Sequence, residues 1–425
     1  MLYTEATSKT ARFKLRRNVM KYQRINEKSG SPFAQQVAAN LLQEHVCLPA
    51  ALLKKQQLQQ NIDWMNGFAA AHQVQLAPHC KTAMMPALMQ QLLQSGVWGL
   101  TVATAYQAQI AAEQGAKKIL LANQLTGRAT MAVIARLLAQ GIEVFVCLDH
   151  SSQLSPLNQF FAAEGLVLPV LIELGVPGGR CGCRSTEQAL QLATELQHYP
   201  ALQLAGIEFY EGVLKGEDAE QQIRLFCQSA AALLQQLRHN GTLTRPRALL
   251  SGAGSVWYDV VAEEFQQSQL ADNTDLLLRP GCYISLDVGI YQQSQQQIEQ
   301  RSSTACMQNG ALQNALEVAC YVQSVPEPGF AVVNLGKRDA AFDAGLPLVL
   351  AQYRDGRLLT RPDKANQLSK MMDQHAFWHF AELDVQVGDM LLLGTSHPCL
   401  TFDKWRQIWL VDDDYNLLEA LTTCF

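Results

Sequence analysis

The sequence lacks the features that would place it in a specialised class of proteins. No window approaches the ~20 consecutive apolar residues of a membrane span, and no apolar stretch follows the basic N-terminal residues as a secretory signal requires. Charged residues make up only 17% of the 425 residues, with 33 basic and 38 acidic side chains. We therefore expect a globular protein of one or two domains in the cytoplasm.

Two further absences narrow the class. The basic cluster of Lys14, Arg16, Arg17 and Lys21 is short and is followed by mixed polar residues, which is typical of a solvated segment and predicts no nucleic-acid partner. The 11 cysteines are scattered, and no second pair completes a structural zinc site with Cys181-Gly-Cys183. Reduced thiols are expected, without a disulfide framework.

From residue 74 onward, short apolar runs rich in Val, Ile and Leu alternate with stretches that have helical spacing. Eight such units closing on themselves predict a (β/α)8 barrel, with an open doubly wound sheet as the alternative. The eight predicted strands are residues 74–78, 98–103, 118–122, 143–148, 168–174, 204–210, 248–250 and 275–278.

The pattern changes after Gly289, where short alternating segments are separated by Gly, Pro and Asp turns, so a second, mainly β domain is predicted. We expect an N-terminal segment (1–50) that packs partly with the β domain, a barrel (51–290) and the β domain (291–425). The Gln-rich stretch 292–300 is predicted to be a connector. The spacing of His375 and His379 predicts that both lie on one helical face among aromatic residues, which favours a packed helix over a metal site.

Catalytic groups of such barrels lie at the carboxyl ends of the strands. The first strand ends in Pro78-His79-Cys80-Lys81-Thr82, where alternation would turn His79 and Lys81 to one side and Cys80 to the other. An amine in a partly desolvated pocket can form a Schiff base. A lone lysine is, however, more often a surface residue that ends a strand.

The seventh and eighth strands end in small residues that let backbone N–H groups approach an anion, a common phosphate site in these barrels. A lysine on the first strand facing such a site is the arrangement that pyridoxal 5′-phosphate (PLP) requires. Taken alone, a Gly-x-Gly run forms a tight turn about as often as it forms a phosphate site. The residues concerned are Ser251, Gly252, Ala253, Gly254 and Ser255 after strand seven, and Arg279-Pro-Gly281-Cys282-Tyr283 after strand eight.

Two more strand ends carry candidate side chains. Strand five runs into Gly178-Gly-Arg180-Cys-Gly182, where Arg180 offers a fixed fork for a carboxylate or a phenolate oxygen. Strand six ends in Tyr210-Glu-Gly212, and Tyr210 could flank a cofactor ring. A loop arginine and a core aromatic are the ordinary interpretations of each.

Taken together, these motifs resemble the D-threonine aldolase and D-serine dehydratase family. These are fold-type III PLP enzymes, similar in architecture to alanine racemase, and the likeness runs from about residue 48 to the C-terminal strands. The five ordered motifs are Pro-His-x-Lys-Thr at 78–82, Gly-Gly-Arg-Cys-Gly at 178–182, Tyr-Glu-Gly at 210–212, Arg-Pro-Gly-x-Tyr at 279–283, and Ser-His-Pro-Cys-Leu-Thr-Phe-Asp-Lys-Trp at 396–405.

The resemblance implies roles for the candidate residues. Lys81 would carry PLP as a Schiff base, the 251–255 loop with Gly281, Cys282 and Tyr283 would hold the phosphate, and His79, Arg180 and Tyr210 would act beside them. It also implies a divalent metal, zinc for preference, on His397 and Cys399, whose spacing puts both donors on one side of an extended segment. Relatives form homodimers, and a homodimer is expected here. Many relatives have an arginine where this chain has Ala77, so any charge contact of that arginine is not carried over.

The resemblance implies a lyase that converts a D-3-hydroxy amino acid such as D-serine to a 2-oxo acid and ammonia. Aldolases of the family tend to have a carboxylate where this chain has Cys399, which favours dehydration. Retro-aldol cleavage to glycine and an aldehyde is the main alternative, since it needs the same lysine and metal. Racemisation needs a second base and no metal, so the pair His397 and Cys399 argues against it. A non-catalytic PLP carrier would need neither the metal pair nor the β domain, so both features argue against a carrier.

Overall fold

The computed structural model describes residues 28–31 and 39–425. The basic cluster at 14–21 and most of the predicted N-terminal segment lie outside these residues. Within them, no helix combines the length and the apolar character needed to cross a membrane.

In the described chain, eight parallel strands form the wall of the first domain, and the predicted barrel is confirmed. Neighbouring strands along the sheet follow the order 75–76, 274–278, 248–252, 202–209, 168–174, 143–148, 118–124 and 100–102. The two end strands meet through a bridge between His79 and Thr101 and through a hydrogen bond from the Thr101 N–H to the Pro78 carbonyl (2.9 Å). The strands are β2 (Gln75–Leu76), β3 (Leu100–Val102), β4 (Lys118–Gln124), β5 (Glu143–Leu148), β6 (Leu168–Leu174), β7 (Leu202–Phe209), β8 (Ala248–Gly252) and β9 (Thr274–Leu278).

Helices connect these strands because the intervening segments repeat apolar residues with helical spacing, so each buries one face on the sheet. Side chains on the opposite face of the sheet fill the interior of the barrel. They include Leu120, Phe145, Leu171 and Leu249, each from a different strand. The helices are α1 (Lys55–Ala71), α2 (Pro86–Gln94), α3 (Ala105–Glu113), α4 (Arg128–Ala139), α5 (Leu154–Ala163), α6 (Thr186–Leu196), α7 (Ala219–His239) and α8 (Tyr258–Gln267).

One register irregularity in the barrel depends on a glycine. Between β6 and β7, Val170 pairs with Leu204 but Leu171 pairs with Gly206, so one residue is inserted in β7. Gly206 has φ +154°, and a Cβ there would lie 1.9 Å from the Leu249 carbonyl oxygen of β8. Only glycine lets β7 and β8 approach this closely.

The second domain is mainly β, as predicted, and is built on a mixed sheet. It includes a strand from the start of the described chain, β1 (Ala50–Lys54), which pairs antiparallel with β10 and parallel with β17. The other strands are β10 (Leu316–Glu327), β11 (Phe330–Val333), β12 (Leu348–Arg354), β13 (Arg357–Thr360), β14 (Leu368–Met371), β15 (Ala376–His379), β16 (Met390–Gly394), β17 (Gln407–Val411) and β18 (Leu417–Thr422).

Two local predictions are wrong. The Gln-rich stretch 292–300 is not a connector but part of helix α9 (Ile290–Arg301), followed by α10 (Ser303–Met307). His375 and His379 do not share a helical face, since β15 pairs antiparallel with β11 there. Burial alternates along β15, with Ala376 and Trp378 inside, and this two-residue period is that of a strand. The predicted boundary at 50/51 falls inside β1, and that at 290/291 falls at the first residue of α9.

Candidate active site

The candidate site is a cavity of about 310 Å³ at the carboxyl ends of the barrel strands. One wall comes from the second domain, where the segment after β16 leads through His397 into a short helix, α11 (Cys399–Phe402). The cavity therefore lies at the meeting of the two domains. Its lining includes His79, Lys81, Thr82, Asn123, Arg180, Tyr210, Ala253, Gly254, Ser255, Arg279, Gly281, Cys282, Tyr291, His397 and Cys399.

The predicted lysine and histidine both line this cavity. The chain after β2 forms a 3-10 turn over Cys80–Thr82 rather than continuing as a strand, yet Cys80 still points away, into a small apolar space beside Met84 and Leu88. Lys81 is exposed in the cavity. His79 is buried, and the pKa of its imidazole lies well below the ordinary value because of burial and of the nearby Lys81 and Arg279 charges. His79 is therefore a neutral side chain at physiological pH.

The predicted phosphate-binding segments meet beside Lys81. The N–H groups of Gly281 and Cys282 both donate to Ser255 Oγ, at 3.2 and 3.1 Å, and the Gly254 N–H donates to a carboxylate oxygen of Glu211 at 2.8 Å. A Cβ at Gly281 would lie 2.5 Å from the His79 carbonyl oxygen, so glycine allows the two strand ends to touch. Three backbone N–H groups thus lie at one end of the cavity, each with a side-chain acceptor that a bound anion would have to replace.

Three of the predicted cofactor-binding residues do not line the cavity. Ser251 is fully buried in β8, and the Cα of Gly252 faces the ring of Phe209. Tyr283 is 2% exposed and packs in the apolar core. Their positions suit support of the loop, whereas Ala253, Gly254, Ser255, Gly281 and Cys282 face the cavity.

Arg180 and Tyr210 form one side of the cavity. The Arg180 guanidinium carbon lies 4.5 Å from the centre of the Tyr210 ring, a cation–π contact that fixes the plane of both groups. Burial, and after it the charge of Glu211, raises the pKa of the Tyr210 hydroxyl. Tyr210 is therefore a neutral hydroxyl beside a fixed positive charge.

Below the cavity lies a buried charged cluster that sequence reasoning missed. Arg279 is 4% exposed and forms an ion pair with Glu208, which is fully buried. The neighbouring Glu173 accepts a hydrogen bond from Gln124 (2.6 Å) and lies 4.0 Å from Arg180. Burial, and after it the charge of Glu208, raises the pKa of Glu173 to about 8. The sequence does carry a signal for this cluster, because Glu173 and Glu208 each interrupt a largely apolar strand.

Donor atoms of Glu173, Glu208 and Cys147 all lie within 4.8 Å of one another, a spacing that would allow all three to bind one metal ion. Arg279 already supplies a positive charge at Glu208. The Cys147 Sγ in turn donates to the Leu121 carbonyl oxygen at 3.6 Å. The cluster is better described as the ion pair of Arg279 with Glu208, with a protonated Glu173 beside it.

His397 and Cys399 lie together on the second-domain wall, although not on an extended segment as predicted. Pro398 is helical and Cys399 begins α11. His397 Nδ1 lies 2.7 Å from Asp343 Oδ2, and Cys399 Sγ lies 3.6 Å from Cys282 Sγ.

The two side chains form a thiolate–imidazolium pair, and a bound metal ion would displace the imidazolium proton. The pKa of Cys399 falls to about 4 because Cys282 and His397 hydrogen-bond its sulfur. That of His397 rises to about 9 because of Cys399 and, after it, Asp343. A thiolate beside an imidazole whose other nitrogen is held by a carboxylate is a usual zinc-ligand arrangement.

A comparison with known families decides the chain's membership. Residues 53–281, more than half of the chain, match the family model described as "Alanine racemase, N-terminal domain". The chain belongs to this family. In addition, residues 315–411 of this alanine racemase-family protein match the "Putative serine dehydratase domain". The predicted resemblance to fold-type III PLP enzymes is confirmed.

Individual relatives extend the comparison. A D-threonine aldolase of Arthrobacter sp is 25% identical over 314 residues, covering 72% of this chain and 75% of the relative. The solved D-threonine aldolase from Filomicrobium marinum has a TM-score of 0.73 at 21% identity and covers 91% of this chain and 97% of its own. For the solved D-threo-3-hydroxyaspartate dehydratase from Delftia sp. HT23 the TM-score is 0.71 at 19% identity, with 91% and 99% covered. The fold and the prediction of a PLP-dependent lyase are confirmed.

The cavity of this alanine racemase-family protein fits PLP, which is expected for the family. Its volume is in the range of small-molecule sites, and it offers an exposed amine at Lys81, close approach to the backbone at Gly254 and Gly281, and the positive charge of Arg180. His79 Nδ1 is buried without a hydrogen-bond partner among the described residues. A divalent metal fits equally well, since sulfur and imidazole donors favour zinc.

Proposed function

We propose that this protein is a PLP- and zinc-dependent lyase that converts a D-3-hydroxy amino acid to a 2-oxo acid and ammonia. The observation that carries the proposal is that Lys81, in the turn after the first barrel strand, and the pair His397 and Cys399, in the second domain, line one cavity. A substrate attached near Lys81 would therefore present its hydroxyl group to the metal ligands.

Lys81 has two roles in this proposal. Its Nζ holds the cofactor, and once a substrate amine has taken its place the same Nζ is free to remove the proton from Cα. When bound, PLP supplies an electron sink for the charge left on Cα. The exposure of Lys81 in the cavity leaves its amine the freedom that both roles require.

Arg180, Tyr210 and His79 bind and orient in this proposal. Arg180 offers a planar fork to either the substrate carboxylate or the phenolic oxygen of the cofactor, and its contact with the Tyr210 ring at 4.5 Å holds the fork in place. His79 is neutral because of its burial. It can therefore exchange a hydrogen bond with a neighbouring polar group without adding a further positive charge beside Lys81 and Arg279.

His397 and Cys399 would hold the metal, with Asp343 fixing the imidazole through Nδ1. When bound, a zinc ion acts as a Lewis acid toward the substrate oxygen that leaves as hydroxide. A thiolate ligand suits zinc better than the harder ions that carboxylates select. The Cys399 thiolate is the feature that favours dehydration over the aldol reaction.

A metal-dependent aldolase is the second candidate. One curated relative at 25% identity is a D-threonine aldolase, and such an enzyme would use the same lysine and metal to cleave the bond between Cα and Cβ. The two reactions differ in their products: dehydration yields a 2-oxo acid and ammonia, whereas cleavage yields glycine and an aldehyde.

The deciding experiment follows both products at once. Zinc-loaded holoenzyme is incubated with D-serine, D-threonine or D-3-hydroxyaspartate, and 2-oxo acid and glycine are measured before and after chelation. A 2-oxo acid that disappears on chelation and returns with zinc supports the proposal. Glycine with an equal amount of aldehyde would make the protein an aldolase. If none of these substrates gives either product while the cofactor stays bound, both candidates are wrong.

Variants separate the two halves of the site. Lys81→Ala is expected to lose the visible absorbance of the Schiff base together with activity. His397→Ala is expected to keep that absorbance and lose activity with the metal. The L-enantiomers of the same substrates serve as the stereochemical control. The predicted homodimer is tested separately, by the mass of the holoenzyme in light scattering.

A further inference from the structure

Cys282 presents a third metal donor to the same position. It lies in the short turn Cys282–Ile284 that follows β9, at 5% exposure. Its Sγ is 3.6 Å from Cys399 Sγ, and it lines the cavity together with Lys81 and His397. The sequence assigned Cys282 to the phosphate site, but its backbone N–H serves that end of the cavity through Ser255, while its side chain faces the second domain.

We propose that Cys282 is a protein ligand of the metal, completing a Cys2His donor set with Cys399 and His397. The inference rests on the proposed function, which places a zinc ion at His397 and Cys399. It extends that site by a residue of the barrel, so that the ion would join the two domains. Three protein ligands with a fourth position left open is the usual form of a catalytic zinc site.

The separation of the two sulfurs matches this role. Two thiolates bound at about 2.3 Å and at a tetrahedral angle lie about 3.8 Å apart, close to the observed 3.6 Å. A disulfide would need about 2.05 Å, so the two sulfurs are not bonded to each other.

The neighbouring hydroxyl supports the same reading. Thr82 Oγ1 lies 3.8 Å from Cys282 Sγ and 3.5 Å from Cys399 Sγ. A hydroxyl within reach of two sulfurs can donate to whichever carries more charge, as groups around the ligands of metal sites commonly do.

The imidazole is the part that has to move. In the part of the chain that the structure describes, only Cys147, Glu173 and Glu208 form a group of three donors that all lie within 4.8 Å of one another. His397 therefore has to shift toward the two sulfurs to share an ion with both. Its side chain is 21% exposed and is held by Asp343 at Nδ1, and it also hydrogen-bonds the Cys399 sulfur that would share the ion.

Two thiolates also have a chemical consequence. They balance the double charge of zinc, and they make the site softer than one with a single sulfur. Cys282 would therefore set metal selectivity, and its loss would shift preference from Zn²⁺ toward harder ions such as Mn²⁺.

The test is zinc K-edge X-ray absorption on the zinc-loaded holoenzyme under reducing conditions. Wild type is expected to show two sulfur ligands, and Cys282→Ala one. Cys320→Ala is the matched control, since it removes a fully buried cysteine of β10 and should keep both sulfurs. Because loss of partners around the ligands alone costs 10–100-fold in metal affinity, Cys282→Ala should weaken zinc binding by more than about 100-fold in a chelator competition.

Each outcome has one meaning. One sulfur in wild type overturns the inference about Cys282 but leaves a metal on His397 and Cys399. Failure of wild type to bind stoichiometric zinc overturns both the inference and the metal of the proposed function. A thiol count that is two short in denatured protein and recovers with reductant would show a disulfide, which also overturns ligation. Cys282→Ser keeps the side-chain size, so a loss of sulfur ligands there cannot be ascribed to misfolding if its circular dichroism matches wild type.

Discussion

Glu173→Gln tests whether the barrel holds a protonated acid below its active site. Glu173 is 2% exposed, accepts a hydrogen bond from Gln124 and lies beside Glu208. Burial, and after it Glu208, raises its pKa to about 8, whereas an unfolded glutamate titrates near 4.3. At pH 5 the side chain is a neutral acid, which an amide of the same shape replaces with little change in stability.

The sign and size of the effect follow from linkage. Between pH 4.3 and 8 the folded chain keeps a proton that the unfolded chain has lost, so stability falls as pH rises, by about 1.4 kcal/mol per pH unit. With the folded pKa at about 8, wild type should lose about 3 to 4 kcal/mol from this residue between pH 5 and pH 9. The variant has no such proton, so it should gain that much relative to wild type.

The measurement is urea unfolding of both holoproteins at several pH values from 5 to 9, followed by circular dichroism. Asp384→Asn is the control, because Arg354 lowers the pKa of Asp384 and its titration ends below this range. The difference between Asp384→Asn and wild type should stay flat. A flat difference for Glu173→Gln as well would refute the buried proton.

Two further substitutions test the packing. Gly206→Ala should lower the free energy of unfolding by about 3 kcal/mol, because the added Cβ would meet the Leu249 carbonyl oxygen at 1.9 Å. The control Gly141→Ala, at φ +78° with open space around it, should lower it by about 1 kcal/mol. Equal losses in urea unfolding would contradict the account of the β7 insertion. Trp405→Phe should lower the free energy of unfolding by about 2 kcal/mol, because the buried Nε1 donates to the Asp339 carbonyl oxygen at 2.8 Å. A thermal midpoint unchanged from wild type would show that this hydrogen bond contributes little.

The barrel could be predicted because its signal is local. Each strand is a short apolar run buried on both faces, as in Leu168–Leu174, where all seven residues are buried, and each is followed by a segment with helical spacing. The strand β1 was missed because its five residues run directly into α1 at Lys55 without a turn residue between them. Its partners, β10 and β17, lie more than 250 residues away, and no local pattern reports such pairing.

The candidate site was predictable to the extent that motifs carry it. Lys81 and Arg180 line one cavity because strand ends converge in a barrel, whereas His397 reaches the cavity from the second domain. The ion pair of Arg279 and Glu208 was missed, since an acid inside a strand shows its partner only in three dimensions. The extended geometry predicted for 397–399 failed because Pro398 readily adopts the first turn of a helix, and α11 begins directly after it.

The position of β1 has a consequence for biosynthesis. It is the central strand between β10 and β17, yet it leaves the ribosome before the whole barrel, while β17 (Gln407–Val411) follows more than 350 residues later. The barrel can form as each βα unit emerges, since domains fold as units during synthesis. The mixed sheet cannot be completed until its last strands appear, so β1 must wait with one hydrogen-bonding edge unsatisfied. A nascent chain stalled before residue 407 would therefore hold a folded barrel and an open sheet, a natural binding site for a chaperone that recognises exposed strands.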